Sequence, residues 1–332
     1  MRKINRKVGR SVRMIWILFA SFVLQKPLLR VGKFFSGRFD YIFFVYPGTK
    51  NDMRGVVPQW FCANKKFRTK IFLGGIVTSS KNYSVGRGIV VGAPNTVENM
   101  ITSREECLIL KKELEKIATS FGVKAIAIAG RGPSIFVRHG IRLNEPFVYG
   151  RKGMIFCTIE TILTVTKKHS ISLNKQKIAI FGGGYVGKSI AKFLTDLNCC
   201  VSIVTARSIA TYEKSAQVGN KDIDVLSQAD IIVVISARGS DIYPYMQYFK
   251  DGAIVIDDAH PRMTRKFKRG FTYRAALTMD EAEFVPGLPV YGKKSIPGCV
   301  VEAIVTSQFG QITDQVIFNE KARDLGFKFY EE

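Results

Sequence analysis

Residues 178–191 read Ile-Ala-Ile-Phe-Gly-Gly-Gly-Tyr-Val-Gly-Lys-Ser-Ile-Ala, an apolar run that breaks into glycines and resumes with helical spacing. Few folds need that combination. Gly182, Gly184 and Gly187 fit G-x-G-x-x-G, the strand–turn–helix that holds a pyrophosphate against a helix N-terminus. Gly182 would make the turn, Gly184 would let the backbone approach phosphate, and Gly187 would let helix and sheet pack closely. Gly183, Tyr185 and Val186 complete the expected contact stretch. The same residues also fit G-x-x-x-x-G-K-S, a P-loop from Gly182 to Ser189, and Asp257 ends an apolar run as a magnesium-binding strand would. Val186 and Ala191 are the small apolar residues that a dinucleotide fold packs on its sheet, and a second strand ends about twenty residues on, where a ribose contact belongs. The dinucleotide reading is preferred, and it leaves Lys188 as a surface residue.

That second strand runs Ile203-Val-Thr-Ala-Arg-Ser208, with no Asp or Glu to take a ribose diol. Arg207 offers a fork of donors for a 2′-phosphate, and Thr205 and Ser208 offer hydroxyls, which points to NADP(H).

Elsewhere strands and helices alternate. Apolar runs at 41–46, 71–78, 88–91 and 123–129 predict strands, the spacing over 97–121 predicts one helix capped by Gly122, and a second helix is predicted over about 153–168. Strands at 178–181, 201–204, 231–235 and 253–256 follow, and the pattern turns helical from Ser295. The expected class is α/β: a Rossmann domain with a doubly wound parallel sheet over 173–290, an α/β substrate domain over 39–172, and a C-terminal helical segment over 291–332 packing on the substrate domain.

Residues 1–38 hold ten Lys and Arg and no Asp or Glu, within a chain of formal net charge +23. The apolar run from Met14 to Leu24 is shorter than the roughly 20 residues that cross a bilayer. This segment reads as an interfacial anchor on anionic lipid, or as a helix packed on the protein body. The six cysteines show no C-x-x-C pair and the three histidines do not cluster, so no metal site is expected. Scattered thiols fit a reducing cytosol, which gives a cytoplasmic location, peripheral on the membrane if the anchor operates.

Cys299 follows Ile-Pro-Gly at the opening of the last major helix. A thiol in a first turn sees the positive end of the helix dipole, which favours thiolate; the other reading is a small buried apolar residue. Asp257 either supports the site or makes a turn before Pro261, and His260 is either a proton donor to a developing alkoxide or, the preferred reading, structural.

Further stretches carry a family likeness: Gly86-Arg-Gly-Ile-Val-Val-Gly-Ala-Pro94, Ala125-Ile-Ala-Ile-Ala-Gly-Arg-Gly-Pro-Ser-Ile-Phe136, Ile178-Ala-Ile-Phe-Gly-Gly-Gly184, Ala229-Asp-Ile-Ile-Val-Val-Ile235, Val255-Ile-Asp-Asp-Ala-His-Pro261 and Gly298-Cys-Val-Val-Glu-Ala-Ile304. With these the chain resembles the aldehyde-forming long-chain acyl-(acyl-carrier-protein) reductases, relatives of the shikimate- and amino-acid-dehydrogenase-like Rossmann enzymes. The resemblance implies that Cys299 is acylated during NADPH-dependent reduction of an acyl thioester to an aldehyde, with acyl carrier protein or coenzyme A as the carrier and no nucleic acid as partner. The chain departs from the family pattern at Arg131, Gly132 and Pro133 and at Arg151, Lys152 and Gly153. Arg131, Arg151 and Lys152 are therefore weaker substrate-binding candidates, suited to a negatively charged substrate. The alternative is an NAD(P)-dependent dehydrogenase of an amino or hydroxy acid, with one of these cations on the carboxylate. A P-loop hydrolase and a non-catalytic binding module stand behind both.

Overall fold

The structure, a computed structural model, describes residues 39–48, 64–79, 86–204, 209–211, 222–280, 282–285, 287 and 294–331. Two compact units divide the chain. The first takes residues through Gly150, Asp280–Lys294 and Cys299–Leu325; the second takes Arg151–Met279, Ser295–Gly298 and Gly326–Glu332.

Along the chain the first unit supplies β1 (Tyr41–Val45), α1 (Lys65–Arg68), β2 (Phe72–Ser79), β3 (Gly88–Gly92), α2 (Val97–Thr102), α3 (Arg104–Phe121), β4 (Ala125–Ile128), α4 (Gly132–Arg138) and β5 (Phe147–Val148). The second supplies α5 (Arg151–Lys168), β6 (Lys177–Phe181), α6 (Tyr185–Asp196), β7 (Cys200–Val204), β8 (Ile209–Thr211), α7 (Asp222–Gln228), β9 (Ile231–Val234), β10 (Ile254–Asp257), β11 (Phe271–Arg274) and β12 (Leu277–Thr278). The chain then gives β13 (Ala282–Val285), α8 (Gly298–Phe309) and α9 (Gln315–Asp324), and β14 (Lys328–Phe329) pairs antiparallel with β12.

In the first unit the sheet order is β13-β2-β3-β1-β4-β5. The neighbours β3, β1, β4 and β5 are parallel, while β2 and β13 run antiparallel at one edge. Continuous apolar runs such as Ile-Phe-Phe in β1 fit strands covered on both faces. Ile42, Phe44, Ile89, Val91, Ile126 and Ile128 share a core with Met100, Leu110 and Leu114 of the covering helices. Each such leucine contributes about 1.5–3 kcal/mol by burial.

The helix expected over 97–121 is two helices. Ser103 leaves the helical conformation, closes α2 and accepts the Glu106 N–H as the N-cap of α3, and Gly122 ends α3 at φ +66°. A side-chain oxygen that serves an N–H well enough to start a new helix is easy to pass over where apolar spacing runs through the break.

The second sheet has the order β8-β7-β6-β9-β10-β11. Counted from β6 this is 3-2-1-4-5-6, the doubly wound arrangement, with every pair parallel except β7 and β8. The α/β class and the Rossmann sheet expected from the sequence are thus present. The division of the chain differs from the expected boundary after residue 172. α5 belongs with the second unit, where Thr158 bonds Asp258 and His169 bonds Tyr273, and residues 280–294 belong with the first. The helix expected from Ser295 starts at Gly298, because Ile296 is held in an extended bridge to Leu277.

Candidate functional site

In the second unit the chain leaves β6 through Gly182, at φ +141°, and starts α6 at Tyr185 with Gly184 as N-cap. β7 follows β6 on one side of the sheet and β10 follows β9 on the other, so the ends of β6 and β9 flank the topological switch point. Gly182 lies there: a Cβ on it would stand 2.7 Å from the Ile235 carbonyl oxygen. A Cβ on Gly187 would stand 2.0 Å from the Gly182 carbonyl oxygen, so α6 and the turn touch backbone to backbone. A Cβ on Gly184 would meet nothing within 4 Å, and Gly184, as the N-cap, offers no side chain to the N–H groups of the first turn. The three glycines therefore do three different things: turning, clearing and packing.

Gly183 and Val186 flank the turn half-buried, and Tyr185 is 61% exposed with the Arg151 guanidinium 4.8 Å from its ring centroid. Arg151 thus stands beside the glycine turn, and Lys152 follows it on the first turn of α5. Thr205, Arg207 and Ser208 lie outside the described residues.

The P-loop reading fails on this geometry. α6 begins before Gly187, Lys188 is exposed one turn inside it, and the Ser189 hydroxyl donates to the Tyr185 carbonyl. Asp257 is engaged in its own loop, where its carboxylate accepts the N–H groups of Ala259 (3.0 Å) and Met263 (2.8 Å). Burial pushes the Asp257 carboxyl up, and those two N–H groups partly hold it down.

Next to it, burial pushes the Asp258 carboxyl up to about 7, and the Thr158 hydroxyl 2.8 Å away opposes the rise. That hydroxyl also lies 3.0 Å from the Met154 carbonyl. One O–H cannot serve both acceptors, and a proton on Asp258 resolves the conflict by donating to Thr158.

The first unit has a switch point of its own, between β1 and β4. Tyr46, which follows β1, donates its O–H to the Ala129 carbonyl at 2.7 Å, just beyond β4. Burial holds its phenol far above the usual tyrosine value; the Gly132 N–H bonded to it works against that, the Cys299 thiol adds to it, and the Arg131 charge opposes it. Cys299 and Arg131 therefore both act electrostatically on one phenol. Cys299, 8% exposed, is the second residue of α8. Gly150, at φ +72°, abuts it so closely that a Cβ would stand 2.8 Å from the Cys299 Cβ.

The structure thus places Arg131 and Cys299 at the carboxyl edge of the first sheet, and Arg151 at the glycine turn of the second. Tyr46 and Gly150 were not singled out in the sequence. The available signal was position: Tyr46 follows β1 and Gly150 lies two residues past β5, at the strand ends where parallel sheets place their ligands. Among the described residues no group of three His, Cys, Asp or Glu side chains could hold a metal, and no helix is long and apolar enough to cross a membrane.

No family model matches the chain. It shows weak sequence similarity to proteins named bifunctional protein FolD. The Clostridium botulinum protein is 29% identical over 142 residues, 42% of this chain and 45% of that protein. The Macrococcus caseolyticus protein is 33% identical over 110 residues, 32% and 34% of the two chains. The similarity spans less than half the length of these relatives. Among solved structures, the NAD-dependent malic enzyme of Thermotoga maritima aligns at TM-score 0.47 and 12% identity, over 92% of this chain and 84% of that one. The Trypanosoma brucei N5,N10-methylenetetrahydrofolate dehydrogenase-cyclohydrolase (FolD), complexed with NADP and an inhibitor, aligns at TM-score 0.36 and 14% identity, over 95% and 96%.

Proposed function

We propose that this chain is an NADP(H)-dependent oxidoreductase of the dehydrogenase type. The observation that carries the reading is the glycine turn at the switch point of a 3-2-1-4-5-6 sheet, with open space at Gly184 and no side chain on that N-cap. Those residues fit a pyrophosphate, and α6 adds its dipole. Similarity to FolD proteins supports the class, since the Trypanosoma brucei FolD is a dehydrogenase-cyclohydrolase that binds NADP. The choice of NADP(H) rests on Arg207 and on the absence of an acid between residues 204 and 208.

For the substrate, a small amino or hydroxy acid fits the first unit. Arg131 would hold the carboxylate through paired N–H donors, and Tyr46 would keep the Ala129–Gly132 backbone in place beneath it. A bound nicotinamide supplies or takes up the hydride.

A second reading rests on Cys299 in the first turn of α8 beside Gly150. Its sulfur would attack an acyl thioester, form a new acyl–sulfur bond and release the carrier as a free thiol, and the cysteine proton would leave with the carrier. Reduction of that enzyme thioester would then give an aldehyde and restore the thiol.

One experiment tests both readings and a second separates them. NADPH fluorescence titration is expected to show binding that weakens about tenfold in Arg207→Ala and is unchanged in Lys188→Ala; no binding to the wild-type chain would end both. Intact-mass measurement after incubation with acyl thioesters, without NADPH, is expected to show no adduct for the small-acid enzyme. An adduct mapped to Cys299 would replace that reading with acyl reduction.

A further inference from the structure

The second unit has a charged edge that neither reading uses. The strands β6, β9, β10 and β11 begin there, and α5 ends there, with the His169 ring tilted against Phe271 at the start of β11, their centroids 4.3 Å apart. The segments reaching this edge carry Lys167, Lys168, Lys175, Lys177, Lys250, Lys266, Lys268 and Arg269, all exposed. Three acids answer them: Asp230 pairs with Lys250, Asp251 with Arg269 at 3.0 Å, and Glu331 with Lys168 at 2.5 Å. Lys167, Lys175, Lys177, Lys266 and Lys268 have no ion-pair partner among the described residues.

The loop bearing two of these lysines is fixed in place. Phe267 is buried against Phe249, the Phe267 N–H is bonded to the Thr272 hydroxyl, and Arg269 donates to the Gln247 and Phe249 carbonyls. Lys266 and Lys268 therefore point out on either side of a buried anchor. Like charges held together by a rigid loop repel one another, and an anionic partner relieves that repulsion.

We propose that this edge docks the protein on an anionic lipid bilayer. Three features favour a bilayer over a nucleic acid or an acidic protein. Seven of the eight cations are lysines, compact charges suited to a diffuse anionic surface, whereas phosphate-specific recognition favours the arginine fork. The charges are spread along a sheet edge across several elements. Phe271 and Tyr248, 46% and 43% exposed, sit among the lysines as aromatics do at the headgroup level. The edge also faces away from the glycine turn. α5 runs from Arg151, beside Tyr185, to Lys168, and its 18 residues span about 27 Å. Docking here leaves the glycine turn at the far end of α5 from the bilayer.

The test is sedimentation of the full chain with vesicles of phosphatidylcholine alone, or with about a third phosphatidylserine. Binding is expected only with phosphatidylserine and is expected to fall as salt rises. Each lysine near such a surface is worth about a fivefold change in affinity, so Lys266→Gln/Lys268→Gln should bind about twentyfold more weakly. Lys175→Gln/Lys177→Gln should weaken binding similarly, and Lys112→Gln/Lys116→Gln on α3 should not. Melting temperatures matching the wild type would show that the variants fold. The proposal is overturned if the wild type ignores anionic vesicles or if the edge variants bind them undiminished, the latter assigning binding to the basic segment 1–38. It is also overturned if the edge variants lose affinity for polyuridylate or polyglutamate while keeping it for vesicles. None of these outcomes depends on whether the protein binds NADPH.

Discussion

Gly187 and Gly184 belong to one motif, yet a methyl group has opposite consequences at the two positions. At Gly187 it collides with the Gly182 carbonyl, which cannot move without shifting the end of β6. Gly187→Ala is expected to cost about 1–3 kcal/mol, seen as a lower Tm, and to abolish NADPH binding. At Gly184 the space is open; Gly184→Ala should cost less than about 1 kcal/mol and still weaken NADPH at least tenfold, because the methyl occupies the place of the pyrophosphate. Wild-type affinity in Gly184→Ala would show that no pyrophosphate sits there. Gly150→Ala should destabilise by at least about 1–2 kcal/mol for its left-handed backbone alone, measured by urea denaturation. Cys299→Ala should not rescue it, since the clash is with the Cβ that alanine keeps. The glycine triad and the setting of Cys299 could be read in the sequence because both are local backbone chemistry. Tyr46 could not, because its role depends on Ala129, 83 residues further on.

At the scale of elements, the contact between α5 and the end of β10 makes stability depend on pH. Asp258 titrates near 7 in the folded protein, against 3.8 for an ordinary aspartate. The folded state therefore holds this proton to higher pH than the unfolded chain does. The favourable contribution is complete below about 4 and is lost as pH rises through about 7. Asp258→Asn, whose amide N–H can donate to the Thr158 hydroxyl as the protonated acid does, should gain on the wild type by on the order of 1–3 kcal/mol between pH 5 and pH 8.5 in chemical denaturation. An equal difference at both pH values would mean that the carboxyl is not desolvated. Ser103→Ala should cost about 1 kcal/mol through the loss of the α3 cap. The helices α5, α6 and α8 and the central strands followed from apolar periodicity, whereas the shorter α1, α4, α7 and α9 did not. The break at Ser103 did not, since one side-chain hydrogen bond leaves that periodicity intact, and β11 and β13 were missed because short edge strands have little apolar pattern to read.

At the scale of the molecule, hydrogen exchange with NADPH present should slow at residues 181–187 and 235–236, which line the second unit's switch point; unchanged exchange there would remove the nucleotide from that crevice. The two-sheet architecture could be foreseen because each sheet has its own run of alternating strands and helices. The division of the chain between units could not, because sequence neighbours are a poor guide where the chain crosses repeatedly. Those crossings bear on how the protein matures. β13 joins β2 some 200 residues after β2 is made, and β14 reaches β12 only after α8 and α9 have gone to the other unit. The six-stranded sheet of the first unit and the two-stranded sheet of β12 and β14 are then completed late, whereas the six-stranded sheet of the second unit has all its strands by Arg274. The nascent chain must carry two unfinished edges on the ribosome at once, each shielded from pairing with strangers until its late strand emerges.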